Sequence, residues 1–187
     1  MADAERDTQA GVSSAATLPT STTTESPKPL PKGVVLGPDG KPCRSCSSKL
    51  AFSTWASQMN GSSKRTTPAT SVPANDCPPD VEALGRSTWT LLHSIAATYP
   101  EKPSATQKDD LRGFMRLFSK LYPCWVCAED FQSYMKKEQV RVEGRSEFGN
   151  WLCEAHNEVN RKLGKKEFDC SKWEERWRTG WKDGRCD

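Results

Sequence analysis

Apolar residues recur three and four positions apart through the second half of the chain, which is the spacing of amphipathic helices. Four such stretches follow residue 80, separated by the segments YPEKP, YPC and QVRVEGR. Their apolar positions, in chain order, are Leu84, Leu91, Leu92, Ile95 and Tyr99; Leu111, Phe114, Met115, Phe118 and Leu121; Phe131, Tyr134 and Met135; and Phe148, Leu152, Ala155, Val159 and Leu163. No stretch alternates with the period of two that a strand requires. The pattern predicts an all-α fold over residues 76–187, a four-helix bundle with a short fifth helix.

Two capping boxes mark predicted helix starts, because a Ser followed three residues later by Gln or Glu can satisfy free N–H groups reciprocally. Ser104 with Gln107 is expected to begin the second helix. Ser171 with Glu174 is expected to begin the short fifth helix, which carries two tryptophans.

The first 75 residues have a different composition, rich in Ser, Thr, Pro, Ala and Gly, with Phe52 and Trp55 as the only aromatic residues. Such a segment buries too little apolar surface to offset its conformational entropy, so we expect a flexible, disordered arm over residues 1–75. One island at 37–59 begins with the turn sequence GPDGKP and carries Cys43 and Cys46. A cysteine pair on a mobile arm suggests a part that travels between sites.

Charge and hydrophobicity narrow the function classes. Residues 1–75 hold eight Lys or Arg against five Asp or Glu, and residues 76–187 hold nineteen of each kind. A neutral helical part lacks the basic surface of a nucleic-acid binder. No apolar run is long enough to span a bilayer, and the N-terminus has neither an apolar signal-peptide core nor the acid-poor composition of a transit peptide. We therefore expect a soluble protein without a membrane span.

Eight cysteines are the strongest compositional signal, and four of them form two CxxC pairs, Cys43/Cys46 and Cys124/Cys127. A CxxC can be half of a zinc site, a structural disulfide or a redox-active dithiol. Zinc needs four converging ligands, and the two pairs lie too far apart in the chain for a zinc ribbon. A thioredoxin-like interpretation lacks its βαβ pattern. A zinc- or disulfide-stabilised helical binding module without enzymatic activity remains the alternative to a redox enzyme.

A second stripe of residues runs beside the apolar face of the fourth helix: Cys153, His156, Asn157 and Asn160. Aligned polar groups beside a packing face indicate either a solvated face or a polar ligand. Trp89 and His93, four residues apart on the first helix, are either core residues or the other half of such a site.

Three long motifs resemble the Erv/ALR family of FAD-linked sulfhydryl oxidases: ALGRSTWTLLHSIAATYP, LFSKLYPCWVCAEDF and WLCEAHNEVNRKLGKKEFDCSKWEERWRTGWKDG. The resemblance runs from about residue 76 to the end, and the CRSC of the arm is similar to the fungal-type shuttle pair of the mitochondrial branch. It implies that the bundle encloses FAD, although the chain has no GxGxxG motif.

The resemblance also implies a set of FAD contacts on the helices and on the C-terminal segment. Carried over by position, they are Gly85, Arg86, Trp89, His93, Tyr122, Cys153, His156, Asn157, Val159, Asn160, Lys162, Lys165, Arg176 and Trp177. Trp and His suit stacking on flat rings, Asn suits amide hydrogen bonds, and the cations suit a pyrophosphate.

The family's cysteine roles follow from the same resemblance. Cys127 is expected to face the flavin, and Cys124 is expected to meet incoming thiols, both at a helix N-terminus that favours the thiolate. Cys43 and Cys46 are expected to form the shuttle pair that passes electrons to them.

The other four cysteines are expected to be structural. Cys153 and Cys170 are expected to join the fourth helix to the fifth, which stabilises the fold by about 3 kcal/mol for a loop of this length. Cys77 and Cys186 are expected to join two subunits of a homodimer, with an intramolecular bridge as the alternative.

The resemblance thus predicts a thiol oxidase that makes disulfides in protein substrates and passes the electrons to oxygen or cytochrome c. Its expected location is the mitochondrial intermembrane space, where it would support oxidative protein import. Its expected partner is a CPC-type import oxidoreductase.

Overall fold

The computed structural model describes residues 30–59 and 77–186. The α-helices are α1 (Lys49–Met59), α2 (Val81–Thr98), α3 (Ala105–Leu121), α4 (Trp125–Lys137) and α5 (Arg145–Lys162). Two 3₁₀ helices (Arg44–Cys46 and Cys170–Lys172) and a short π-helix (Glu175–Thr179) complete the regular structure. Within the described residues the only β pairing is an isolated bridge, so the predicted all-α class is confirmed.

Side-chain caps fix where the bundle helices begin. The Asp80 carboxylate accepts the backbone N–H of Ala83 at 2.8 Å and starts α2. The predicted capping box of α3 is confirmed, because Ser104 and Gln107 each bond the other's backbone N–H. At the start of α4 no side chain caps the helix, and Cys124 occupies the N-cap position.

The core of the bundle centres on α5, which packs against α2, while α3 packs against α4. Phe148, Trp151 and Leu152 of α5 are fully buried, and the Trp151 indole donates to the Glu138 carbonyl oxygen at 3.0 Å. Gly149 lies on the same helix directly under a tryptophan ring from the C-terminal segment. The helix at the centre therefore carries both the apolar core and the polar stripe.

The fifth helix differs from its prediction. The Ser171–Glu174 capping box does not form, because the Asp169 carboxylate accepts both the backbone N–H and the hydroxyl of Ser171. These two bonds hold the pKa of Asp169 below its usual value. The helical segment begins two residues earlier than predicted, as a 3₁₀ turn, and it continues as a π-helix rather than an α-helix.

Residues 30–59, which fall within the arm predicted to be flexible, contain the 3₁₀ helix Arg44–Cys46 and the helix α1. The Val35 N–H donates to the Ser47 hydroxyl, which in turn donates to the Cys43 carbonyl, and Ser47 is completely buried. This local network and contacts with the bundle hold the segment, and the flexibility of the arm stays a prediction. The rest of the predicted arm lies outside the described residues.

A bilayer crossing would need a longer and more apolar helix than any found in residues 30–59 and 77–186.

Candidate functional site

Two aromatic–imidazole pairs, brought from α2, α5 and the C-terminal segment, form the centre of the site. His156 of α5 stacks on Trp89 of α2 with ring centroids 4.1 Å apart and a 4° angle between planes. His93 of α2 stacks on Trp177, with centroids 4.5 Å apart and an 11° angle. The two imidazoles meet at 3.2 Å between His93 Nε2 and His156 Nδ1. The structure thus brings the Trp89 and His93 pair of α2 into contact with the polar stripe of α5.

Burial keeps both imidazoles neutral. It lowers the pKa of His93 to about 3, with further lowering from the nearby His156 and Arg176. Burial likewise lowers the pKa of His156 to about 4, helped by the charge of Lys165. At neutral pH the site therefore offers two uncharged rings beside two cations.

Trp173 is part of this site, although the sequence placed it only on the predicted short fifth helix. Its side chain is 2% exposed, and its Nε1 donates to His93 Nδ1 at 3.2 Å. The only sequence signal was its spacing of four residues from Trp177, which does not distinguish core packing from a hydrogen bond to histidine.

Asn157 is buried, and its side-chain amide forms hydrogen bonds with the backbone of the segment that follows α5. Its Nδ2 donates to the Phe168 carbonyl, and its Oδ1 accepts the Phe168 N–H, both at 2.8 Å. Asn160 then donates to Asn157 Oδ1 at 3.3 Å. This pairing fastens the segment after α5 to the helix, and the predicted cofactor contacts of both residues stay predictions.

The remaining predicted cofactor residues surround the rings on different elements. The Arg176 guanidinium lies 4.3 Å over the Trp177 ring. Lys162 pairs with Asp130 of α4 at 2.6 Å. Tyr122 ends α3, and burial raises the pKa of its phenol against a polar contact with Thr88 of α2. Gly85 and Arg86 lie in the first turns of α2, Val159 on α5, and Lys165 just after α5.

The Cys124–Cys127 pair is a disulfide at the start of α4. Cys124 is 0% exposed, whereas Cys127 is partly exposed. The sulfur that the family pattern assigns to incoming thiols is therefore the less accessible one in this arrangement.

The arm segment lies against the same end of α4. Trp125, between the two cysteines, donates its indole N–H to the Leu36 carbonyl at 2.8 Å. Arg44 Nε donates to the Pro78 carbonyl at 2.7 Å, and the 3₁₀ helix Arg44–Cys46 contacts both α2 and α4. Cys43 and Cys46 form a disulfide, and Cys46 is 6% exposed. The structure thus brings the two CxxC pairs to one face of the bundle.

Of the other four cysteines, two form a disulfide and two are free thiols. Cys153 of α5 is bonded to Cys170 of the C-terminal 3₁₀ helix. Cys77 and Cys186 are exposed thiols in the single chain. Across the part of the chain that the structure describes, no three His, Cys, Asp or Glu side chains approach closely enough to hold a metal ion.

Comparisons with known proteins identify the family. The Erv1 / Alr family model matches residues 86–178. The mitochondrial FAD-linked sulfhydryl oxidase ERV1 of Saccharomyces cerevisiae is 42% identical over 167 residues, which cover 79% of this chain and 88% of that protein. Its counterpart in Schizosaccharomyces pombe is 40% identical over 161 residues, 75% of this chain and 88% of the relative.

Solved structures agree with the sequence relatives. The crystal structure of the yeast Erv1 core is 51% identical, with a TM-score of 0.57, and the match covers 62% of this chain and 98% of that chain. The FAD-binding domain of Erv1 from Saccharomyces cerevisiae is 54% identical, with a TM-score of 0.54, over 56% of this chain and 99% of that chain. The chain belongs to the Erv1/Alr family.

Proposed function

We propose that the protein is an FAD-dependent thiol oxidase that makes disulfides in protein substrates. The observation that carries the proposal is the meeting of two CxxC disulfides, with the 3₁₀ helix that ends at Cys46 in contact with the helix that begins after Cys124. The two fungal relatives are named FAD-linked sulfhydryl oxidases, which supports the same activity.

The residues of the site fit FAD. A flavin dinucleotide needs flat surfaces for its rings and positive charge for its phosphates, and the stacked pairs Trp89–His156 and His93–Trp177 lie beside Arg176. Neutral imidazoles can donate or accept single hydrogen bonds to ring atoms. When bound, FAD would supply an acceptor for the two electrons of a dithiol, with oxygen or cytochrome c as the final acceptor.

The protein's own cysteines perform the exchange steps. A thiolate of a reduced substrate attacks the Cys43–Cys46 disulfide and releases one shuttle sulfur. The second substrate thiol then attacks the mixed disulfide and releases the other shuttle sulfur. The substrate leaves as a disulfide, and the shuttle pair holds the two thiols. A shuttle thiolate next attacks Cys124 and releases Cys127 as a thiolate; the second shuttle sulfur closes the shuttle disulfide and releases Cys124. The Cys124/Cys127 dithiol then closes to its disulfide again and gives up two electrons and two protons to the acceptor.

The burial of Cys124 gives the shuttle a reason to exist. With the arm segment against α4, this sulfur is closed to bulky thiols, while the arm itself is in contact with the helix that carries it. A folded substrate therefore meets the shuttle pair first. We propose that residues 1–75 act as the shuttle arm and residues 76–187 as the oxidase domain.

The test is a comparison of two substrates on variant proteins that retain bound flavin. The double variant Cys43→Ser/Cys46→Ser should lose oxidation of a reduced protein substrate but keep oxidation of a small dithiol, followed by oxygen uptake. Cys124→Ser should lose both activities, and Cys77→Ser, the control, should lose neither. Equal loss on both substrates in the shuttle variant would refute the shuttle role. Purified protein without flavin absorbance or oxidase activity would refute the function itself.

We also propose a homodimer closed by Cys77 of one subunit and Cys186 of the other. Both thiols are exposed at opposite ends of the domain sequence, where a partner can reach them. Non-reducing electrophoresis should show a dimer that Cys77→Ser abolishes. Migration at monomer mass alone would instead indicate an intramolecular bridge or free thiols.

The mitochondrial intermembrane space is the proposed location, since both fungal relatives are named mitochondrial. The proposed substrate is a CPC-type import oxidoreductase, in support of oxidative protein import. Protease protection in intact and outer-membrane-ruptured mitochondria tests the location. Parallel assays of cytochrome c reduction and oxygen uptake identify the preferred acceptor.

A further inference from the structure

A chain of three hydrogen-bonding rings leads from the protein core into the site. The Trp173 indole nitrogen lies 3.2 Å from His93 Nδ1, and His93 Nε2 lies 3.2 Å from His156 Nδ1. An indole N–H can only donate, whereas each nitrogen of a neutral imidazole is either a donor or an acceptor. The indole therefore determines the direction of the whole chain.

The direction follows step by step from the donor. His93 Nδ1 must accept from Trp173, so the single proton of neutral His93 is on Nε2. That Nε2–H faces His156 Nδ1, which must accept in turn. The proton of neutral His156 is then on its own Nε2, the end of the chain.

The planes of the rings are held by packing on both sides of the pair. His156 is stacked on Trp89 and His93 on Trp177, and the indole of Trp173 is fixed by burial against Gly149. The charged groups that face the pair are Arg176 toward His93 and Lys165 toward His156; both are cations and disfavour a third positive charge. In the described residues, His156 Nε2 has no hydrogen-bond acceptor.

We propose that Trp173 is a positioning residue that sets His156 as a neutral Nε2–H donor toward an acceptor atom of the bound flavin. The inference rests on the proposed function for the identity of the ligand, and on the ring geometry for the tautomers. Trp173 acts through His93 and His156 rather than by contact with the ligand.

The experiment uses the fact that the chain has only two histidines and that both are in the site. Holoenzyme labelled with ¹⁵N-histidine should show two imidazoles in long-range ¹H–¹⁵N correlation spectra at pH 7, each protonated on Nε2 and unprotonated on Nδ1. A charged imidazole, or His156 protonated on Nδ1, would overturn the proposal. This measurement needs only the natural protein, so it tests the two tautomers even if a variant does not fold.

Two matched variants test the role of the indole itself. Trp173→Phe keeps an aromatic ring but removes the N–H, so His93 should then populate both tautomers. The variant should also bind FAD about 10-fold more weakly than the natural protein. Trp151→Phe removes another buried indole that donates to a backbone carbonyl, and it should leave both tautomers unchanged. Unchanged tautomers in Trp173→Phe, or equal changes in both variants, would overturn the proposal. Absence of flavin from the natural protein would refute the proposed function while leaving the tautomer result intact.

Discussion

Gly149→Ala is the substitution to which the packing of the site is most sensitive. A Cβ at this position would lie 2.4, 2.4 and 2.5 Å from three atoms of the buried Trp173 ring. Carbon atoms pack best at about 3.5–4.0 Å, so the ring or the helix must move by roughly 1 Å. The glycine is therefore required by close approach to the ring and not by its backbone conformation.

The expected cost combines three effects. Overpacking of a buried site costs about 1–3 kcal/mol, and displacement of Trp173 weakens its bond to His93, which adds about 1 kcal/mol or more. The alanine gains about 1 kcal/mol in helix propensity, which offsets part of the loss. We expect a decrease of about 2 kcal/mol in the free energy of unfolding.

Urea unfolding followed by circular dichroism measures this cost, with Gly113→Ala as the matched control. Gly113 also lies inside an α-helix, but its added Cβ would meet nothing within 4 Å. The control should gain up to about 1 kcal/mol of stability from helix propensity. If Gly149→Ala is as stable as the control, the close packing of α5 on Trp173 is not what the structure shows.

Three further predictions concern the disulfide, the arm and the histidines. The double variant Cys153→Ala/Cys170→Ala should lose about 3 kcal/mol of stability in non-reducing urea unfolding, and an unchanged midpoint would contradict this. Trp125→Phe removes the indole N–H that bonds the arm, so docking of the arm should weaken about 5-fold. Oxidation of a protein substrate should then be slower and oxidation of a small dithiol faster. An unchanged ratio of these two rates would count against docking. Because burial holds the pKa of His93 near 3 and of His156 near 4, the unfolded chain binds more protons below pH 6.5. The free energy of unfolding should then fall by about 1–3 kcal/mol between pH 7 and 5, above the range in which ordinary carboxylates titrate, and a flat profile would refute neutral buried histidines.

Helix periodicity and capping chemistry predicted the bundle from the sequence. The apolar spacing identified all four long helices, and the Ser104–Gln107 pair identified the start of α3. These signals are local, since they depend on residues three or four positions apart, and the chain itself carries them. The π-helix at Glu175–Thr179 has no comparable signal, because its hydrogen bonds skip the spacing that sequence patterns reflect.

The contacts that assemble the site are long-range and could not be predicted in this way. Trp125 and Leu36 are 89 positions apart, and the acceptor is a backbone carbonyl, which every residue has. The bond between Trp173 and His93 spans 80 positions. The stripes of polar residues showed that α2 and α5 carried unusual side chains, but not that their imidazoles would meet.

The C-terminal segment shows how stability and chemistry depend on the same contacts here. Its 3₁₀ and π-helical turns are too short to be stable alone, so other contacts must hold them. The Cys170 disulfide and the Asn157 amide fasten the segment to α5, and Trp173 is packed against α5 at Gly149. Since Trp173 also bonds His93, any change that loosens this segment must also alter the hydrogen bonding of the histidines. The disulfide therefore controls the geometry of the site as well as the stability of the bundle.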